Sequence, residues 1–251
     1  MIDRNLLAYY SVSKLRAEVQ RNYLSYVWWF LEPLFLIAAF YLVFEVMLRR
    51  GGDGFIYDLL VGVIVWSWFG STVTQASTSI LRATNLIQLI DVDKRLFPLV
   101  DVFVLSIKQL FVLLLLSLFV IFSNGIDWSW LWLPYLFLVQ FLLIASLSLL
   151  VAASVPFIPD LHIIIALAIR FLMFCSGVFF TADSISEEHR DLFLLNPVAN
   201  LIEQYRVVML RMETPDVTAL SVIALLSILL FVGLSYFMQK HSKAYPRLTM
   251  Q

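Results

Sequence analysis

Apolar residues run almost unbroken through six stretches of this chain, near 31–49, 56–76, 99–122, 130–153, 161–181 and 217–239. Each is close to the ~20 residues that an α-helix needs to cross ~30 Å of hydrocarbon, so the pattern predicts six transmembrane helices. The segments outside them keep a helical period of their own. Before the first run, Ile2, Leu6, Tyr9, Tyr10 and Ala17 fall within one arc at 100° per residue, and Asp3, Arg4, Lys14, Glu18 and Arg21 within another. Residues 1–30 therefore read as an amphipathic helix that does not span, lying on a membrane face or docked on a partner protein. The belt Tyr26-Val-Trp-Trp-Phe-Leu-Glu-Pro-Leu34 follows; its tryptophans suit the interface and Pro33 suits the first turn of a helix.

Two polar segments between the runs carry more detail. From Asp183 to Pro215, Ser184 followed by Glu187 reads as a capping box that starts a helix, and Asn196-Pro197 stops it. Beyond the break, Val198, Leu201, Ile202, Tyr205, Val208, Met209 and Met212 recur at helical spacing. Glu203, Arg206, Arg211 and Glu213 fall elsewhere on that helix. The expectation is a broken hairpin over 183–215, either lying in the headgroup layer or dipping back between the spans to line the end of a pathway. From Ser77 to Pro98, Arg82, Asn85, Gln88, Asp91, Asp93, Lys94 and Arg95 make the chain too polar to span, while Ile80, Leu81, Thr84, Ile87 and Leu96 keep part of a helical stripe. A short exposed helix there fits either a docking element for a soluble partner or a solvated loop.

Composition agrees with this pattern and narrows it. Hydrophobic residues make up 61% of the 251 and charged residues only 14%, well below the quarter or so usual in soluble domains. The fold class is therefore all-α and polytopic, one membrane domain over 1–251. Placement of charge decides orientation. Arg4, Lys14, Arg16, Arg21, Arg82, Lys94, Arg95, Lys240, Lys243 and Arg247 lie on one side of the six runs; Arg49, Arg50, Arg190, Arg206 and Arg211 lie on the other. The positive-inside rule puts the first set, and both termini, in the cytoplasm. The start of the chain lacks the pattern of a cleaved signal peptide.

Charge inside the spans is costly and expected to pair across helices or face an aqueous cavity. Lys108 in the third run and Arg170 in the fifth are such residues, with Asp101, Asp160 and Glu32 near span ends. Structural pairing and contact with an anionic substrate both fit. No Gly-x-x-x-x-Gly-Lys-Ser/Thr phosphate loop occurs, His162, His189 and His241 are far apart, and the single Cys175 lies in an apolar run. The residues thus suggest no catalytic constellation and no metal site.

The order of these motifs resembles the membrane subunits of type 2 ABC exporters for bacterial surface polysaccharides, the Wzm and KpsM proteins. The resemblance rests on the N-terminal helix running into Tyr26–Leu34, the charged segment ending in Lys94-Arg-Leu-Phe-Pro98, Ser176-Gly-Val-Phe-Phe180, and Asn196-Pro197 followed by Glu203-Gln-Tyr-Arg206. Ser25 and Gly177 depart from it, standing where that family often has glycine and proline. What it implies is a homodimer in the bacterial inner membrane joined to two copies of a separate ABC ATPase. ATP and magnesium would be held by that partner, with no cofactor in this chain and no nucleic-acid partner. The substrate would be a lipid-linked polysaccharide of O-antigen or capsule type. A coupling helix near 77–97 would meet the ATPase, with Arg82, Asp91, Asp93, Lys94 and Arg95 as candidate contacts. Tyr41, Phe44, Phe171, Phe174, Phe179 and Phe180 are candidates for an aromatic wall along which sugar rings slide. Arg4, Arg16, Arg21 and Glu32 would sit at a cytoplasmic gate near membrane lipid or a lipid phosphate. Asn196, Pro197, Glu203 and Arg206 would shape the outer mouth. An exporter of a small lipid, drug or lipo-oligosaccharide shares this architecture, and an intramembrane sugar-lipid transferase is the more distant alternative.

Overall fold

The computed structural model describes residues 4–21, 31, 34–35, 38–39, 42–47, 54–89, 92–242 and 245. The first apolar run lies mostly outside them; within it, Leu42–Met47 forms a π-helical turn. Glu32, Tyr41, Asp91 and the side chains of Arg4, Arg21 and Phe44 also lie outside the described residues.

All regular structure among the described residues is helical. Helix α1 (Arg4–Arg21) lies within the predicted helical segment 1–30. Helix α2 (Phe55–Ser77) begins after Gly54, whose φ of 100° is open to glycine at little cost. Two short helices follow, α3 (Ser79–Arg82) and α4 (Thr84–Leu89). Helix α5 (Leu96–Asn124) carries Pro98 in its first turn, where the missing N–H breaks no bond, and ends at Gly125 with φ 83°. Asp127 caps the 3₁₀ turn Trp128–Trp132 by accepting from the Ser129 N–H at 3.1 Å, and α6 (Leu133–Ser154) continues from it.

Helix α7 (Leu161–Cys175) is shorter than the predicted run 161–181. Gly177, at φ 69°, turns the chain out of the helix, and hydropathy has no sight of that turn. A 3₁₀ turn at Ala182–Ser184 leads to α8 (Glu187–Leu194) and then α9 (Pro197–Arg206), which runs into a π-helical turn, Val207–Arg211. The last helix is α10 (Val217–Lys240), capped by Asp216 accepting from Thr218 and Ala219 N–H at 2.9 and 3.0 Å. Among the described residues, four helical stretches are long and apolar enough to cross a membrane: Phe55–Ser77, Leu96–Phe122, Trp128–Ser154 and Val217–Lys240.

The core forms around α2, which packs against α5, α6, α7 and α9. Gln109 on α5 and Gln140 on α6 tie this centre with hydrogen bonds, their Nε2 atoms donating to the carbonyls of Ile64 and Val65 at 3.1 and 2.9 Å. Polar links of this kind hold helices together where apolar surroundings give them no hydrophobic drive to associate. Helix α10 packs on α6 and leaves Val222, Leu225, Leu229 and Val232 exposed, the apolar exterior a membrane helix needs.

Candidate functional site

The hairpin after α7 has charge built into its interior. Its break falls at Asn196, as expected. Asn196 Oδ1 accepts from the N–H of Val198 at 3.0 Å and of Ala199 at 3.5 Å, while its Nδ2 donates to Ser176 Oγ at 2.9 Å. One side chain thus caps α9 and ties it to the end of α7. The expected capping box does not form: Ser184 Oγ donates to the Thr181 carbonyl at 2.6 Å, and Ser186 takes the N-cap position of α8.

Helix α9 is buried on every side from Val198 to Arg206, so Glu203 and Arg206 do not occupy an exposed polar face. Only 1% of Arg206 remains exposed. Its guanidinium donates to the Asp58 carbonyl from Nη2 at 3.0 Å and Nε at 3.2 Å, to Phe180 O at 3.0 Å and to Val178 O at 3.3 Å. The reason lies in Gly177. Once the helix ends there, the carbonyls of Val178 and Phe180 have no helical donor, and a planar fork of five N–H groups can reach several at once. Gly62 leaves room for this: a Cβ there would lie 2.8 Å from Val178 O and 2.9 Å from Arg206 Nη2.

Charge around the guanidinium is compensated in a chain. Arg206 Nη1 lies 3.5 Å from Glu203 Oε2 and its Nε 3.6 Å from Asp58 Oδ1. Arg211 bridges Glu203 at 2.7 Å and Asp183 at 2.8 Å, and Arg190 also pairs with Asp183. Beside this network opens a cavity of about 310 Å³ lined by Phe55, Asp58, Leu59, Val178, Phe179, Phe180, Thr181, Ser184 and Arg206. Of the predicted aromatic wall, Phe174 and Phe179 meet with centroids 5.4 Å apart, and Phe180 meets Phe193 at 5.5 Å. Phe171 projects outward from α7, as does Arg170. Aromatic rings next to charged and hydroxyl groups can hold a polar ring by its edge and its face together. Asp58, Asp183, Arg211, Phe55 and Phe193 join this site without having been singled out for it; only the helical spacing of Arg211 was a signal.

The intramembrane charges divide. Asp101, on α5 and 2% exposed, pairs across helices as expected, with Lys14 of α1 and with Arg82 of α3 at 2.7 Å. Lys108 is half-buried further along α5, and Arg16 is exposed on α1. In the predicted docking segment, Lys94 and Arg95 are buried within the chain, 4% and 8% exposed, which corrects the expectation of an exposed contact surface at those two positions. Asp93 is partly buried, which opposes ionisation. Hydrogen bonds from Arg95 outweigh that and hold its carboxyl below the usual range. Among the described residues here, the exposed side chains are Arg82, Asn85, Gln88 and Leu89. Among the described residues, no three His, Cys, Asp or Glu side chains gather as a metal site would require.

A helical membrane chain with this hairpin invites comparison with known transporters. The family model of ABC-2 type transporters matches residues 9–210, most of the chain. The protein belongs to the ABC-2 transporter family. Among curated relatives, this ABC-2 chain is similar to the O-antigen export system permease protein RfbA of Myxococcus xanthus, at 24% identity over 250 residues, covering 96% of this chain and 94% of that protein. It is also similar to an RfbA of Klebsiella pneumoniae, at 23% identity over 236 residues and 93% and 91% coverage. The Wzm/KpsM-like resemblance is thereby supported along nearly the whole ABC-2 chain, and the protein is a multi-pass membrane transport permease.

Proposed function

We propose that this chain is the channel-forming subunit of an ATP-driven exporter that moves a lipid-linked polysaccharide, of O-antigen or capsule type, across the bacterial inner membrane. The observation that carries the reading is the pairing of near full-length similarity to O-antigen export permeases with an aromatic-lined, charge-braced cavity where the hairpin meets α7. A sugar ring offers apolar C–H faces to Phe179 and Phe180 and hydroxyls to Asp58, Thr181 and Ser184. Such contacts are individually weak, which suits a polymer that must slide.

In this account the first run, 31–49, and α7 complete six spans, and both termini are cytoplasmic. Two copies of the chain join, with the outward face of α7 (Ile163, Leu167, Phe171, Phe174) turned toward the translocation path between them. Two copies of an ABC ATPase hold ATP and magnesium; this chain's part is to receive their motion. The receiving surface is α3–α4, through exposed Arg82, Asn85, Gln88 and the 80%-exposed Leu89. Rigid-body shift of α2, which leads directly into that segment, reaches the hairpin through Arg206, because the guanidinium grips the first turn of α2 and the end of α7 together. The buried hairpin is then re-entrant, shaping the outer mouth.

Deletion of the gene in its native host tests this. The expected result is loss of long-chain surface polysaccharide with lipid-linked polymer retained in the cytoplasmic leaflet, reversed by the wild-type gene. Normal surface polysaccharide in the deletion strain would overturn the proposal.

A further inference from the structure

Charge in the cavity beside the hairpin is unevenly available. Its lining holds one acid, Asp58, and one base, Arg206. The guanidinium is spent. Its Nε, Nη1 and Nη2 atoms make five hydrogen bonds: two to the Asp58 carbonyl, one each to the Val178 and Phe180 carbonyls, and one to Glu203 Oε2. A guanidinium has five N–H groups, so none is left for a ligand. The Asp58 carboxylate is in the opposite condition. Its side chain is 31% exposed, and the Arg206 Nε that stands 3.6 Å away directs its hydrogen to the Asp58 carbonyl instead. Arg211 and Arg190 lie outside the lining; both are engaged by Asp183, and Arg211 by Glu203 as well. Asp58, Glu203 and Asp183 therefore balance Arg206, Arg211 and Arg190, with no cation in excess.

We propose that this cavity selects an uncharged glycan and turns away one that carries carboxylates, with Asp58 as the residue that discriminates. The selection rests on the exporter reading above, whose polymer it assigns to a charge class. Carboxylate oxygens accept from sugar hydroxyls in charge-assisted hydrogen bonds, which are stronger than neutral ones. Phe55, Phe179 and Phe180 line the same space and offer rings to the C–H face of the sugar, with the hydroxyls of Thr181 and Ser184 beside them. A uronic acid in that position brings a second carboxylate against Asp58, and the one cation in the lining has no donor to give it. Repulsion between like charges at contact distance is strong in a partly buried site, where salt screens poorly.

The full-length chain in phosphatidylcholine nanodiscs, free of sugar-based detergent, is titrated at pH 7 with tetragalacturonic acid and with its methyl ester. The two probes share a backbone and differ in charge, and saturation-transfer NMR reads their binding. Wild type is expected to bind the ester at least about tenfold more tightly than the acid. Asp58→Asn keeps the shape and removes the charge, so it is expected to bring the acid within about threefold of the ester while weakening the ester no more than about fivefold. Asp58→Glu is expected to restore the preference for the ester. Melting checks that each variant is folded, and the wild-type comparison stands without them. Equal or tighter binding of the acid by wild type would overturn the proposal. So would a preference that survives unchanged in Asp58→Asn, which would place the discrimination elsewhere. Failure of both probes to bind would overturn the cavity as a sugar site, whereas the exporter reading is judged separately, by the surface polysaccharide of the deletion strain.

Discussion

Replacing Arg206 tests the physical reasoning about the hairpin most severely. Arg206→Ala removes the donors to the carbonyls of Asp58, Val178 and Phe180 and one partner of Glu203. A stranded buried polar group costs about 1–3 kcal/mol. Breaking a buried ion pair from one side costs about 3–5 kcal/mol. These terms overlap, because the cavity left by the side chain can admit water to some of the carbonyls, and Arg211 still holds Glu203 at 2.7 Å. The working figure is therefore about 4 kcal/mol, toward the lower end of their sum. On the usual scaling for chains of this size it lowers the melting temperature by roughly 10 °C. Arg206→Lys keeps the charge but offers a compact ammonium in place of a fork, so it is expected to lose roughly 2 kcal/mol. The double replacement Arg206→Met with Glu203→Gln should cost less than the two single effects summed, since neither charge is then left alone. Melting of the tagged full-length chain in detergent, followed by its elution profile, measures all of these. A melting temperature for Arg206→Ala within about 2 °C of wild type, with Arg206→Lys the same, would refute the claim that the guanidinium satisfies the broken end of α7.

Three further outcomes follow from neighbouring geometry and the same melting assay. Gly62→Ala drives a Cβ to 2.8 Å from the Val178 carbonyl and 2.9 Å from Arg206, so a loss of about 1–3 kcal/mol is expected, whereas Gly233→Ala, with open space around it, should be neutral or slightly stabilising. Asn196→Ala removes the cap of α9 and its tie to Ser176, for an expected loss of about 1–2 kcal/mol, with Asn196→Asp retaining the cap alone and falling between. For Asp93, the carboxyl is depressed in the folded chain, so its contribution is present above the ordinary carboxylate range near pH 4 and is lost as pH falls through the folded value. Asp93→Asn should therefore destabilise at pH 7 and make no difference in strong acid.

Much of the architecture is legible in the sequence because long apolar runs have few alternatives. The runs at 56–76 and 217–239 became helices over Phe55–Ser77 and Val217–Lys240, within a residue at each end. The break at Asn196-Pro197 was equally readable, since its causes are local: a proline without an N–H and a side chain that caps. The end of α7 was not, because one glycine at positive φ inside an apolar run is invisible to hydropathy. The burial of Arg206 was the largest surprise, and its cause is non-local. The guanidinium is drawn inward by carbonyls that lie 28 and 148 residues away in sequence, which no helical wheel of α9 contains. Burial of Lys94 and Arg95 has the same character: Arg95 lies 3.5 Å from the carbonyl of Ser235 on α10 and grips Asp93, so a charge run that looked like an open docking face is folded into the chain. By contrast the pairing of Asp101 across helices was anticipated from cost alone, since a carboxylate at that depth needs a cation wherever it comes from.

The central claim is most directly tested by co-purification and transport in one preparation. Tagged chain is drawn gently from the native host, its partner identified, and the complex placed in proteoliposomes whose outer leaflet carries the host's own lipid-linked polysaccharide. The account predicts a stoichiometric ABC ATPase and ATP-dependent protection of the polymer inside the vesicles. Replacing Asn85, Gln88 and Leu89 together should abolish both the partner and the protection. A chain that purifies without an ATPase, or a complex that hydrolyses ATP while the polymer stays outside, would contradict it.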